Sequence, residues 1–367
     1  MKHLIPARIK ALQAGLSEMG LDAAMIYDRE NLIYFAGVDD LEGGALAVPA
    51  EGEPALFCLW MEREYIQDTS GIGKVIPFVF PESNQSKEMG KWLKGQGFMA
   101  PRLGFTRYFV SLNDYLLLRE ASPDMAVCDI ALLCYKIRSI KSPEEIQRIK
   151  TASGILKAGM DAAFAAAAPG VRETDVLAEA EYAMLKAGSF GPPFRMQVLT
   201  GSRQQLMHPY SGDALLEPDA PVVINLGASY KGYVSKMCRT VFLGNPKKQS
   251  VDIYKTLIKA LDAAVTAVKP GMTCAALYDI VWDILAEAGY EKYWVMEIIG
   301  HGIGIRQTEF YPVLAKGNDT ALEKNMVINL LLPTVYMKGA GGPKITDTIL
   351  IGEDGGQRLT DYPSDAV

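Results

Sequence analysis

Histidine is scarce in this 367-residue chain: His3, His208 and His301 are the only three, so imidazole chemistry has few places to sit. Cysteine is nearly as sparse. Cys58, Cys128, Cys134, Cys238 and Cys274 form no C-x-x-C pair and are odd in number, which indicates neither a zinc knuckle nor a disulfide framework. They read as reduced thiols packed as small apolar groups. Basic residues are in deficit. With 37 Lys and Arg against 43 Asp and Glu, the formal charge is −6 and no basic stripe is available to grip nucleic acid or an anionic membrane. Small-molecule substrates or short peptides are the partners expected. No apolar run, Met326 to Tyr336 included, approaches the ~20 residues that span a bilayer. Arg8 and Lys10 interrupt the start, so no signal-peptide core forms and a cytoplasmic location is expected. Low-complexity segments and long linkers are absent as well.

What is present suits an enzyme-sized protein of two or three domains, because 49% hydrophobic residues is ample for buried cores. Residues 1–130 alternate helix-like stretches, such as Arg8 to Met19, with short apolar strands, such as Ala23 to Tyr27 and Ala45 to Val48, punctuated by Gly43-Gly44 and Pro49. This pattern predicts a separate α/β domain, with the boundary between Asp129 and Lys141, and a second domain over 131–367.

Within the second part there is a duplication. Asp161-Ala162-Ala163, Pro169-Gly170 and Ala187-Gly188 recur 101 residues later as Asp262-Ala263-Ala264, Pro270-Gly271 and Ala288-Gly289. Each copy reads as a long helix stopped before Pro-Gly and a second helix stopped at Ala-Gly. Ser142-Pro143-Glu144-Glu145 supplies the entry cap, with proline in the first turn and acids at the positive end of the dipole. Two helix pairs, each followed by strands, predict a pseudo-twofold α+β domain with helices outside a curved sheet and a site at the pseudo-axis.

Several motifs in order carry a family likeness: Val198-Leu199-Thr200-Gly201, His208-Pro209, Ile224-Asn225-Leu226-Gly227, Tyr233-Val234-Ser235-Lys236, Gly300-His301-Gly302-Ile303-Gly304, and Lys344-Ile345-Thr346-Asp347-Thr348. The chain resembles the pita-bread family of methionine aminopeptidases, Xaa-Pro peptidases (aminopeptidase P and prolidase) and creatinase. Glu30-Asn31-Leu32-Ile33-Tyr34-Phe35-Ala36-Gly37 is similar to the creatinase-type N-terminal domain, so the likeness runs over most of the chain. The resemblance implies a C-terminal pita-bread fold, a smaller α/β domain before it, and a homodimer.

The resemblance also implies a chemical departure. The peptidase branch holds two divalent ions with two aspartates, two glutamates and a histidine, and the ions acidify a water. Here Asn225 and Lys236, eleven residues apart, stand at the aspartate positions, and Leu332 and Thr346 at the glutamate positions; only His301 remains. An amide, a leucine and a threonine offer no charge to offset a dication, and an ammonium repels one. No metal or other cofactor is therefore expected. The family's second histidine, seven residues after His301, is Thr308, with Glu309 following it.

His208 is retained at the family's seventeen-residue distance from Asn225, and the matching histidine of metal-free creatinase shuttles protons. On a strand, Lys236 lies between Val234 and Cys238 on one face, where burial would lower its pKa. It is then a general base, a Schiff-base former or a carboxylate binder, or else a structural ammonium bonded to Asn225. Arg239 either positions an anionic group or anchors the strand, and Tyr233 either lines the site or belongs to the sheet. The glycines around His301 are expected to permit a close turn.

Two function classes follow. One is a metal-independent hydrolase or lyase of a small carboxylate-bearing amide, amidine or amino-acid-like compound, with His208 as general acid/base, His301, Glu309 and Lys236 assisting, and Asn225, Arg239, Thr308 and Tyr233 binding substrate. The other is a non-catalytic pseudopeptidase that binds a peptide or metabolite, or a residual Xaa-Pro dipeptidase.

Overall fold

In the computed structural model, which describes residues 1–39, 41–106, 109–294, 296–331 and 335–364, the two glycines of each duplicated stop adopt left-handed backbone. Gly170 and Gly271 have φ of 83° and 87°, and Gly188 and Gly289 have 99° and 74°, conformations that any side chain would strain. The helices they end match accordingly. Pro143–Ala166 and Glu173–Lys186 recur as Lys248–Ala267 and Cys274–Glu287. The second pair keeps the offset at both ends (274 − 173 and 287 − 186 are each 101). At the entry, Ser142 Oγ accepts from the Glu145 amide and Glu145 accepts from the Ser142 amide, closing a capping box with Pro143 in the first turn.

The chain divides into two compact units, Met1–Arg138 and Ser139–Val367. In the first, β1 (Ala23–Ile26), β2 (Ala45–Pro49), β3 (Ala55–Leu59), β4 (Lys74–Phe78), β5 (Arg102–Phe105) and β6 (Ala126–Asp129) form one mixed sheet in the order β4-β3-β2-β1-β5-β6. Ala23 to Ile26 and Ala45 to Val48 are wholly buried, as expected of central strands covered on both faces. The helix Ala131–Ser139 belongs to this unit as far as Arg138. The absence of a side chain at Gly15 lets Leu133 approach so closely that a Cβ would sit 2.4 Å from it, and the Tyr34 hydroxyl donates to the Ile137 carbonyl at 3.1 Å.

The second unit is built on an eight-stranded sheet. Its strands are β7 (Gln197–Leu199), β8 (Pro221–Tyr230), β9 (Tyr233–Phe242), β10 (Ile298–Gly302), β11 (Glu309–Ala315), β12 (Val327–Leu331), β13 (Thr346–Ile351) and β14 (Gly356–Arg358). Their order is β11-β10-β12-β13-β9-β8-β7, with β14 on β13. Side-chain parity decides what each face carries. Val222, Ile224, Leu226 and Ala228 of β8 and Met237 of β9 pack with Leu156, Met160, Val176 and Ala180 of the first helix pair. Ile328 and Leu330 of β12 and Ile349 and Ile351 of β13 pack with Leu257, Leu261, Leu277 and Val281 of the second. Register places these residues on one face, since Leu226 lies opposite Met237 and Ile328 opposite Ile349. The helices therefore cover one side of the sheet. Residues of opposite parity face away from them. Among the described residues no helix is long and apolar enough to cross a membrane.

Candidate active site

Four residues lie in a straight row across four strands of the helix-free face. Gln197 is directly opposite Asn225, Asn225 opposite Cys238, and Cys238 opposite Thr346. Lys236 stands two residues along β9 from Cys238, opposite Gly227 and on the same side. His301 enters the same face from β10. It lies opposite Asn329, which lies opposite Thr348, two residues on from Thr346. The sequence thus folds Asn225, Lys236, His301 and Thr346 onto one surface by strand alternation alone. Leu332 lies outside the described residues.

Lys236 is buried, with its ammonium 5.2 Å from the centre of the Phe194 ring. The ring fits there because Gly227 has no side chain, where a Cβ would fall 2.2 Å from Phe194. Burial lowers the Lys236 pKa to about 8, the Cys238 thiol works against that lowering, and the Lys344 charge adds to it. Cys238 is itself pushed up to about 11 by burial and stays a neutral thiol. The Lys344 pKa is lowered too, mainly by burial. Two ammonium groups thus act on this region, and no carboxylate among the described residues forms an ion pair with either.

His301 is buried. Its Nδ1 lies 2.9 Å from the Gly302 carbonyl, which can only accept, so Nδ1 carries the proton and Nε2 the lone pair. The Thr308 hydroxyl stands 3.5 Å from that Nε2. Burial first and the Lys236 charge second lower the His301 pKa to about 4, so the ring is neutral at physiological pH. His208 is exposed, and partial desolvation together with the charges of Lys236, Lys344 and Arg195 lowers its pKa as well. Its loop is held from behind. Arg195 donates to the His208 carbonyl at 2.8 Å and Gln197 to the Pro209 carbonyl at 3.0 Å. Glu309 is buried and accepts from the Arg306 amide at 3.3 Å.

Three expectations need correction. Arg239, expected to bind substrate or anchor its strand, anchors. It has the opposite parity to Lys236, and its guanidinium donates to the carbonyls of Pro363, Cys238, Thr346 and Tyr362 and to Asp347 at 2.7 Å. Those bonds occupy all five of its N–H groups. Tyr233, expected at the site, also faces the helices, and its hydroxyl donates to Glu145 at 2.9 Å. Of the glycines around His301, Gly300 and Gly302 do not make a turn, and only Gly304 lies in the bend that follows β10. Gly300 to Gly302 are strand, and they let neighbouring strands approach, since a Cβ would lie 2.3 Å from the Asn329 carbonyl at Gly300 and 2.6 Å from that of Tyr311 at Gly302. Sequence reasoning passed over Gln197 and Lys344. Lys344 stands two residues before Thr346, just ahead of β13, in a motif already singled out.

Two buried polar groups in the row are unsatisfied: the Asn225 Oδ1 acceptor and the Thr346 hydroxyl have no hydrogen-bond partner. Among the described residues no group of three or more His, Cys, Asp or Glu is placed to hold a metal ion.

Comparison with known proteins places this fold. Residues 147–353 match the model of metallopeptidase family M24, and residues 8–140 match the creatinase/prolidase N-terminal domain. The chain belongs to metallopeptidase family M24, and within it to the prolidase-like, two-domain members. It is 32% identical to an Xaa-Pro dipeptidase of Pyrococcus furiosus over 96% of this chain and 97% of that one. The prolidase structure from Pyrococcus horikoshii OT3 superposes with a TM-score of 0.89 at 29% identity, covering 98% of this chain and 100% of that one. An Xaa-Pro dipeptidase from Bacillus anthracis gives a TM-score of 0.90 at 27% identity, over 99% of each chain.

Proposed function

We propose that this prolidase-like chain acts without a dinuclear metal centre, as a hydrolase-type protein for a small carboxylate-bearing amide or amino-acid-like compound. The observation that carries this reading is Lys236: an ammonium buried on the site's face, with a second ammonium acting on it and no carboxylate ion pair among the described residues. Divalent ions need several anionic or imidazole donors. The face offers His301 Nε2, an amide oxygen and a hydroxyl beside a cation that repels them. A carboxylate is the complementary ligand, because it gives the ammonium the counter-charge that burial otherwise denies it.

In this reading His208, neutral at physiological pH, takes a proton from the attacking water as that oxygen bonds to the carbonyl carbon, and returns it to the leaving nitrogen as the C–N bond breaks. Lys236 and Lys344 place the carboxylate. His301, whose pKa of about 4 is too low for shuttling protons near neutrality, accepts a hydrogen bond at Nε2, with Thr308 beside it. The test is turnover of small N-acyl amino acids by purified protein in excess chelator. Hydrolysis that persists, and that His208→Ala abolishes, supports the reading; hydrolysis that stops on chelation contradicts it.

A second reading is favoured by His208 itself. Its side chain is exposed and makes no hydrogen bond to any described residue, whereas a working general base is usually oriented by a partner. The chain would then bind the same ligand without turning it over. Binding that survives His208→Ala, with no hydrolysis by the unsubstituted protein, selects this alternative.

A further inference from the structure

We infer that the site recognises a carboxylate together with a neighbouring amide N–H, and so discriminates against tertiary, proline-type amides. This rests on the preceding reading that a small carboxylate-bearing compound is the ligand, and adds the donor that compound must carry.

The polarity of the row is fixed from its far end. The Pro209 carbonyl can only accept, so Gln197 presents Nε2 to it at 3.0 Å, and the Gln197 Oε1 is turned to Asn225. Only the Asn225 Nδ2 can meet that oxygen, and it does so at 3.1 Å. Asn225 Oδ1 is therefore left over by necessity rather than by choice of rotamer. It belongs to a side chain 8% exposed and has no donor. The Lys236 ammonium does not hydrogen-bond to it. At the other end of the row Thr346, 0% exposed, has an Oγ1 with no partner, a hydroxyl that can donate to an oxyanion. Lys236, two residues along β9 from the Cys238 that separates them, and Lys344, whose charge acts on Lys236, supply positive charge.

A buried acceptor left empty costs about as much as the hydrogen bond it lacks, so such a group selects a ligand that brings a donor. Within the row, an anion holder and one orphan amide oxygen match a carboxylate next to an N–H, as in an N-acylated amino acid other than proline; the Asn329 Oδ1, also without a partner, lies off the row opposite His301. An N-acylproline has the same carboxylate and carbonyl but no hydrogen on nitrogen, and would leave Asn225 Oδ1 both dehydrated and unpaired.

The test is calorimetric titration of the intact protein with N-acetyl-L-alanine, N-acetyl-L-proline and the methyl ester of N-acetyl-L-alanine. N-acetylalanine is expected to bind at least about tenfold more tightly than either of the others. Asn225→Leu is expected to bring the two acids to similar affinity, and Lys236→Met to remove both. The comparison of three ligands on the unsubstituted protein does not depend on the variants folding. Equal affinity for the two acids, equal affinity for acid and ester, or no binding of either acid would overturn the inference. The expected discrimination without any hydrolysis leaves it standing and removes only the hydrolytic reading. Hydrolysis of an unrelated amide with no such discrimination removes the inference alone.

Discussion

The Lys236 ammonium lies 5.2 Å from the centre of the Phe194 ring, on a sheet face where no carboxylate among the described residues pairs with it. Burial has lowered its pKa from 10.5 to about 8. Between those values the unfolded chain holds the proton and the folded chain does not, so raising the pH through that window favours folding. Below pH 8 both states hold it and the full cost of burying the charge is present. Lys236→Met, similar in volume and uncharged, is therefore expected to stabilise the protein at pH 7 by up to about 3 kcal/mol, the full shift corresponding to about 3.4 kcal/mol. Urea denaturation at pH 7 and pH 10 measures this: the gain should be largest at pH 7 and shrink at pH 10. A variant less stable than the parent at pH 7 would mean that the ammonium has a strong counter-charge after all.

The His301 proton behaves in the opposite range. Its pKa is lowered to about 4, so between 6.5 and 4 the unfolded chain takes up a proton that the folded chain refuses. Stability on this account is present above 6.5 and lost as the pH falls towards 4. The part due to His301 is at most about 3.5 kcal/mol, as a shift of 1 unit corresponds to about 1.4 kcal/mol. NMR titration of the three imidazoles should give one resonance still neutral at pH 5, and His301→Gln should flatten part of the acid limb. A midpoint above 6 for His301 would contradict the desolvated environment described.

Arg239 supports the fold from behind the site. Its guanidinium ties β9 to Asp347 and to the carbonyls of Tyr362 and Pro363, and Arg358 also approaches Asp347 at 3.2 Å. Arg239→Met removes this clamp and leaves Asp347 buried, which is expected to cost about 3–5 kcal/mol. Lysine should not rescue it, because one ammonium cannot reproduce five planar donors. Thermal unfolding reads the loss. Ligand affinity of the folded fraction should change little, and a selective loss of binding with normal stability would return Arg239 to the substrate.

The sequence was most informative where one local rule acts alone. The 101-residue duplication is legible because proline cannot continue a helix and glycine can end one, and both stops recur with left-handed glycines at matching positions. Strand alternation puts Lys236 and Cys238 on one face, and the same rule separates Tyr233 and Arg239 from them. Register is what the sequence does not carry. Gln197 opposite Asn225, and Thr346 opposite Cys238, are pairings between strands distant in the chain, and the row exists only once four strands are aligned. The strand conformation at Gly300 to Gly302 was hidden for a related reason. Glycine serves a turn and a close strand approach equally well, and only the neighbouring backbone decides between them.

The most direct test of the account is the metal content of the protein. Elemental analysis after purification, repeated after incubation with manganese, zinc, cobalt and iron and removal of free ion, is expected to give far less than one ion per chain. One or two ions per chain retained by the parent protein and lost on His301→Ala would contradict the claim that this face holds an anion in place of a metal centre.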